Sequence, residues 1–247
     1  MRNLIIILIL FFASYQVRAN SIQIAVASNF LNTLEILANK YKENNDLEIL
    51  ISNGSTGKLY AQIVNGAPYD LFFSADSKRP KLLEEKGHGV KGSRFTYALG
   101  RLALWAPYEK ELKKRLPYFT PEEINFIAIA NPMLAPYGKA AMETLMALGV
   151  WDNLQNQLVR GENINQTLNY VLSGNAKIGL VAFSQIIKIG MEENNSYWIV
   201  PENMHSKIKQ QAVLIEDKVI AHEFMAFIKS AIGKNIISKN GYVVPEH

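Results

Sequence analysis

The stretch SNGSTGKLYAQI, residues 52–63, sets two glycines, two hydroxyl residues and a lysine ahead of a helical pattern. Such a set can hold an anion, and the first question is whether the anion is a nucleotide. A nucleotide-binding loop needs G-x-x-x-x-G-K followed by Ser or Thr, whose hydroxyl holds magnesium. Five residues before Gly57 stands Ser52 rather than glycine, and Leu59 rather than Ser or Thr follows Lys58. The motif fails at both ends. What remains is a tight turn at Gly54 and Gly57, hydroxyls at Ser55 and Thr56, and a helix start with free N–H groups and the positive end of a dipole. Capping the helix is the commonest role of such hydroxyls, and the loop alone favours it.

The same arrangement recurs three times. AVASNF ends an apolar run at Ala27-Ser28 and opens a helical pattern at Asn29, APYGKAA opens another at Tyr137-Gly138, and GENINQTL a fourth near Ile164. If the apolar runs form parallel strands, these starts share the strands' carboxyl ends, where open α/β sheets bind ligands. Each start carries about half a positive charge. Together with hydroxyls, four starts can hold a dianion without a basic side chain, which leaves Lys58 and Lys139 to point to solvent.

Other chemistry finds less support. His88, His205, His222 and His247 are scattered, and the His222-Glu223 pair meets Ala226 where a zinc-binding helix needs a second histidine. Ser28 and Ser55 lack the G-x-S-x-G setting of an activated nucleophile. Asp70 and Asp76 flank a strand pattern, where turn and cap roles outweigh acid/base work. No residue is assigned as catalytic. Trp105, Trp151 and Trp198 are read as packing residues, Met142 and Met146 as core, and Tyr197 with Trp198 as the cover of a lobe edge.

The elements that must position these residues alternate between apolar runs and amphipathic stretches, the pattern of a parallel sheet with crossover helices. IQIAVAS (22–28), LEILIS (47–52) and DLFFSAD (70–76) read as strands, with helices after each. FTYALGRLALWAP (95–107) is long enough to leave one unit and enter another. A second set follows with INFIAIANP (124–132), YGKAAMETLMALG (137–149), INQTLNYVLSG (164–174) and AKIGLVAFS (176–184). KIKQQAVLI (207–215) then returns, and AHEFMAFIKSAIG with GYVVP completes the first unit. The expected organisation is α/β, with two lobes, each a mostly parallel sheet flanked by helices, and a two-strand hinge. Residues 20–97 and 211–247 form lobe I, and residues 98–210 form lobe II.

The chain of 247 residues is 49% hydrophobic and 19% charged, ordinary for a globular protein of one large or two modest domains. Its first 19 residues read as a cleaved secretory signal: Arg2, an apolar run from Leu4 to Ala13, and Val17-Arg18-Ala19 at the cut. That run is too short to span a bilayer of ~30 Å as a helix. With no cysteine, the exported chain has no disulfide and no lipid-bearing thiol, which points to a free protein in the periplasm of a Gram-negative bacterium. Without Arg2 and Arg18, 24 basic residues face 22 acidic ones, a charge too small for a nucleic-acid footprint.

The blocks IAVASNF, SNGSTGKLYAQIVNGAPYDLFFSAD, IANPMLAPYGKAAMETLMALGVWDNL and IGLVAFSQ resemble, in order and spacing, the periplasmic molybdate-binding proteins of ABC importers, across nearly the whole mature chain. The resemblance implies a two-lobed type II solute-binding protein that closes on molybdate or tungstate and delivers it to a permease driven by an ATPase. It implies a monomer, no cofactor, and a ligand that is cargo. Carried over residue by residue, it puts the oxyanion against the hydroxyl of Ser28, the N–H of Asn29, the hydroxyl of Thr56 or its neighbour Ser55, and the backbone N–H groups of Tyr137 and Ile164. The contacts at Ser28, Thr56, Tyr137 and Ile164 are to the anion's oxygens, not to its metal. Some members place a tyrosine hydroxyl at the end of the GLVA strand, where this chain has Ala182, so the shell has one donor fewer or Tyr137 compensates.

Neutral donors suit such an anion. Molybdate and sulfate are fully deprotonated near neutral pH, whereas phosphate keeps a proton and favours a site with a carboxylate acceptor. Discrimination between molybdate and sulfate then rests on size, which rigid backbone donors set better than flexible lysines. A receptor for sulfate or another tetrahedral oxyanion is the alternative, and a secreted phosphatase-like enzyme the more distant one.

Overall fold

A computed structural model describes residues 21–109, 126–191 and 196–245. The predicted signal segment lies outside the described residues. Among the described residues, two five-stranded sheets form the frame. The first contains β1 (Ser21–Ala27), β2 (Glu48–Gly54), β3 (Leu71–Ser74), β4 (Phe95–Gly100) and β10 (Ile208–Leu214). The second contains β5 (Leu102–Trp105), β6 (Ile127–Ala130), β7 (Leu158–Gly161), β8 (Ile178–Ala182) and β9 (Tyr197–Ile199).

In the first sheet β1 pairs in parallel with β2 and β3, while β10 runs antiparallel to both β3 and β4. In the second, β6 pairs in parallel with β7 and β8, while β5 runs antiparallel to β8 and β9. In each sheet, therefore, one strand opposes four that share a direction. The opposing strand, β10 in the first sheet and β5 in the second, is the first strand after a chain crossing.

The strands read as apolar runs because both faces of each sheet are covered. Along β1, Ile22, Ile24 and Val26 point into a core with Phe30, Leu34, Phe73 and Phe224. Ala25 points the other way, to Leu59, Ile63, Phe72 and Leu83. On β6, Ile127 and Ile129 face one core and Ala128 the other. This is the two-residue alternation of a pleated strand.

The run at 95–107 is two strands in different sheets, broken at Arg101. The ladder of the first sheet continues to the Ile208–Gly100 pair, so the expected lobe boundaries at 97/98 and 210/211 fall inside β4 and β10. The short strands β7 and β9 were not read from the sequence; each has only three or four residues at a sheet edge. The pattern at 221–233 is two helices, Val219–Lys229 and Ala231–Lys239, because Ser230 leaves helical geometry and accepts the N–H of Gly233 at 3.2 Å. The tail reaches the first sheet, where Leu99 and Val243 exchange both backbone hydrogen bonds. Met146 is not core but 50% exposed, and Met142 is only partly buried. The buried face of that helix carries Tyr137, Ala141, Thr144 and Leu145, so the methionine spacing marks the flank of the stripe.

Candidate oxyanion site

Four helix starts meet where the two sheets face each other. After β1 the chain turns through Ser28–Phe30 into helix Leu31–Lys42, and after β2 it enters helix Thr56–Val64. After β6 comes helix Pro136–Ala147, and after β7 helix Ile164–Leu172. Ser28, Asn29, Ser55, Thr56, Tyr137 and Ile164 line one small cavity, together with Ala27, Gly54, Ala75, Ala135, Pro136 and Asn163. None of these residues carries a charge.

Ser28 and Ser55 are 4% and 3% exposed, and neither Oγ has a hydrogen-bond partner among the described residues. Burying a hydroxyl without a partner costs about 1–3 kcal/mol. Both hydroxyls belong to residues lining one cavity. Thr56 differs: its Oγ1 accepts the Ala75 N–H at 3.2 Å and so helps to hold the loop after β3. Between the two neighbours, Ser55 has the uncommitted oxygen.

The second sheet contributes backbone. Pro136 occupies the first helical position, where its missing N–H costs nothing and its fixed φ suits the helix, so the Tyr137 N–H comes next. Gly138 lets this helix start lie close to β6, since a Cβ there would stand 2.2 Å from the Ala130 carbonyl oxygen. At the fourth start, the Asn163 side chain accepts from Asn165 N and Gln166 N at 3.0 and 3.1 Å. The Ile164 N–H, ahead of both, has no acceptor within its helix.

Behind these starts lies a network that sequence reasoning missed. Gln185, 4% exposed, accepts the Ala182 N–H at 3.0 Å and donates to the Ile164 carbonyl at 3.1 Å and Asn165 Oδ1 at 2.8 Å. Ala182 itself is not among the cavity's lining residues. Gln210, fully buried on β10, accepts from Asn29 Nδ2 at 2.7 Å and lies 3.4 Å from the Tyr137 hydroxyl. The Tyr137 hydroxyl lies at the chain crossing, against Gly100 and Gln210. Tyr242 donates to the Asn29 carbonyl at 2.7 Å. With its side chain held by Gln210 and Tyr242, Asn29 meets the cavity through its backbone. Burial raises the phenol pKa of Tyr97 and Tyr137 well above the ordinary value, and that of Tyr242 to about 12. Asn163 was legible as an Asn immediately before a helical pattern; the glutamines had no local signal.

Charge stays outside. Lys58 pairs with Glu162 at 2.7 Å and Lys139 with Glu143 at 3.5 Å, and both lysines are more than half exposed. An adjoining cleft of about 430 Å³ holds Lys78, Arg79, Lys139, Lys207 and Lys209 with Asp76 and Glu143. The two aspartates considered for acid/base work have structural partners. Asp70 accepts the Gln23 N–H and pairs with Lys218, whereas Asp76 accepts the Arg79 N–H and pairs with the Arg79 guanidinium.

A family model described as bacterial extracellular solute-binding protein matches residues 22–243. The chain belongs to that family. The molybdate-binding protein of Rhodobacter capsulatus is 37% identical over 228 residues, covering 91% of this chain and 89% of that one. The molybdate-binding protein of Azotobacter vinelandii is 36% identical over 228 residues, with coverages of 91% and 90%. The solved structure of an Azotobacter vinelandii periplasmic molybdate-binding protein superposes with a TM-score of 0.85 at 39% identity, over 91% of this chain and all of that one. The two-lobed solute-binding fold expected from the sequence is thus the fold of this family. No described helix is long and apolar enough to cross a membrane.

Proposed function

We propose that this chain is a periplasmic receptor that captures molybdate or tungstate between its two lobes and delivers it to the permease of an ABC importer driven by an ATPase. It acts as a monomer and binds rather than converts its ligand. Lobe I holds the first sheet and lobe II the second, joined by the crossings at Gly100–Leu102 and ahead of Ile208. The observation that carries this reading is that, among the described residues, the buried hydroxyls of Ser28 and Ser55 have no partner and their cavity is lined by helix starts from both sheets and by no charged side chain.

The anion docks on one lobe through Ser28, Asn29, Ser55 and Thr56, and the N–H groups of Tyr137 and Ile164 complete the shell as the lobes close. Charge-assisted hydrogen bonds contribute roughly 1.5–3 kcal/mol each and strengthen as water leaves. The absence of a carboxylate acceptor among the lining residues favours a fully deprotonated anion over phosphate. The names of the molybdate-binding relatives support molybdate over sulfate.

Calorimetric titration of the mature chain, unfolded and refolded to strip bound ligand, tests this with molybdate, tungstate, sulfate and phosphate. One-to-one binding of molybdate and tungstate with far weaker sulfate is expected. Tighter sulfate would make it a sulfate receptor, and silence for all four would overturn the oxyanion reading.

A further inference from the structure

Gly57 stands one residue beyond the Ser55–Thr56 pair, yet it faces the opposite lobe. Its N–H donates to the Leu134 carbonyl at 2.8 Å, a backbone bond between the start of helix Thr56–Val64 and the loop ahead of helix Pro136–Ala147. A Cβ at position 57 would lie 3.0 Å from that carbonyl oxygen, 3.2 Å from Leu134 Cα and 3.0 Å from Arg79 Nη2. The arginine end can swing away. The Leu134 backbone cannot, because the Asn131 carbonyl accepts both Leu134 N–H and Ala135 N–H, at 3.1 and 2.9 Å. Gly57 lies outside the left-handed region, so its own backbone would accept alanine, which also favours helix. The missing side chain answers to the other lobe.

We infer that Gly57 is a positioning residue whose contact with the Leu134 carbonyl sets how closely the two lobes approach, and so holds the Tyr137 donor, three residues further on, against the anion. The inference rests on the reading of the cavity as an oxyanion site closed by both lobes. It makes glycine at 57 a requirement of closure rather than of the turn.

The test compares wild type, Gly57→Ala, Lys58→Ala and the double variant Gly57→Ala/Arg79→Ala. It uses molybdate titration, stopped-flow dissociation, small-angle scattering with and without molybdate, and melting of the anion-free protein. Gly57→Ala is expected to melt as wild type does without anion, to lose at least tenfold in affinity through faster dissociation, and to stay more extended at saturation. Lys58→Ala, which breaks only the exposed Lys58–Glu162 pair between the lobes, should lose less than about fivefold in affinity and compact as wild type does. Wild-type affinity and compaction in Gly57→Ala would overturn the inference, as would recovery in the double variant, which would make the arginine the obstacle. A lowered melting temperature of anion-free Gly57→Ala would place the fault within lobe I and also overturn it. If wild type binds no oxyanion, the site reading falls and this inference with it; if wild type binds and Gly57→Ala matches it, only the inference falls.

Discussion

The two lobes are built on the same strand plan but equip the cavity differently. The first sheet, ordered β2-β1-β3-β10-β4, and the second, ordered β7-β6-β8-β5-β9, each carry two helix starts to the same place. In the first, the starts present side-chain hydroxyls, Ser28 and Ser55, with no partner among the described residues. In the second, Pro136 and Asn163 organise the starts and backbone N–H groups are what remains. On the proposed reading, one lobe is disarmed by removing an oxygen and the other only by moving its backbone.

The sharpest way to test this difference is to remove both hydroxyls. Ser28→Ala and Ser55→Ala should each weaken oxyanion binding by about 1.5–3 kcal/mol, or roughly 10- to 150-fold, and their combination by more than either, with circular dichroism unchanged. Thr56→Ala, which loses the bond from Ala75 N, should cost less affinity and more stability. Affinity lost at Thr56 but not at Ser55 would reverse the assignment of the hydroxyl.

In the second lobe, Gly138→Ala should lower affinity tenfold or more and lower the melting temperature too, because its Cβ would meet the Ala130 carbonyl and push the helix start off β6. Equal melting with unchanged affinity would break the claim that this lobe works through backbone position.

Alkaline melting probes the seam where the lobes join. Tyr97, Tyr137 and Tyr242 are fully buried near Gln210 and Asn29, and their raised pKa values mean that the folded state keeps protons the unfolded state releases. Their contribution is complete below the unfolded tyrosine pKa of about 10 and declines as pH rises toward about 12, the value for Tyr242. Stability should therefore fall from about pH 10 upward, and Tyr242→Phe should flatten that fall. The smallest effect is expected at the rim: Lys58→Ala breaks an exposed pair with Glu162 and should change affinity less than about fivefold.

Much of the fold was legible because it is written in local patterns. The alternation at Ile22, Ile24 and Val26 and the helical spacing of Leu34, Leu37 and Tyr41 follow from pleat and helix geometry over a few residues. The strands β7 and β9 escaped because three or four residues carry too little pattern, and Met146 was misplaced because its spacing fits the flank of a helix as well as its buried stripe. At the site, the residue types were legible and their partners were not. Nothing near Gln185 or Gln210 in the chain announces that one braces Ile164 and the other Asn29, since those contacts join residues 21 and 181 positions apart.

The sequence by itself determined that helix starts with hydroxyls and glycines would follow apolar strands, because capping chemistry and turn geometry act over three or four residues. It also excluded a nucleotide loop, through Ser52 and Leu59. Only the tertiary structure decided that four starts share one cavity, that Ser55 rather than Thr56 has the uncommitted hydroxyl, and that a Cβ at Gly57 would meet the Leu134 backbone of the opposite lobe. Those outcomes depend on sheet order and on the approach of two lobes, which long-range packing sets and no local pattern encodes.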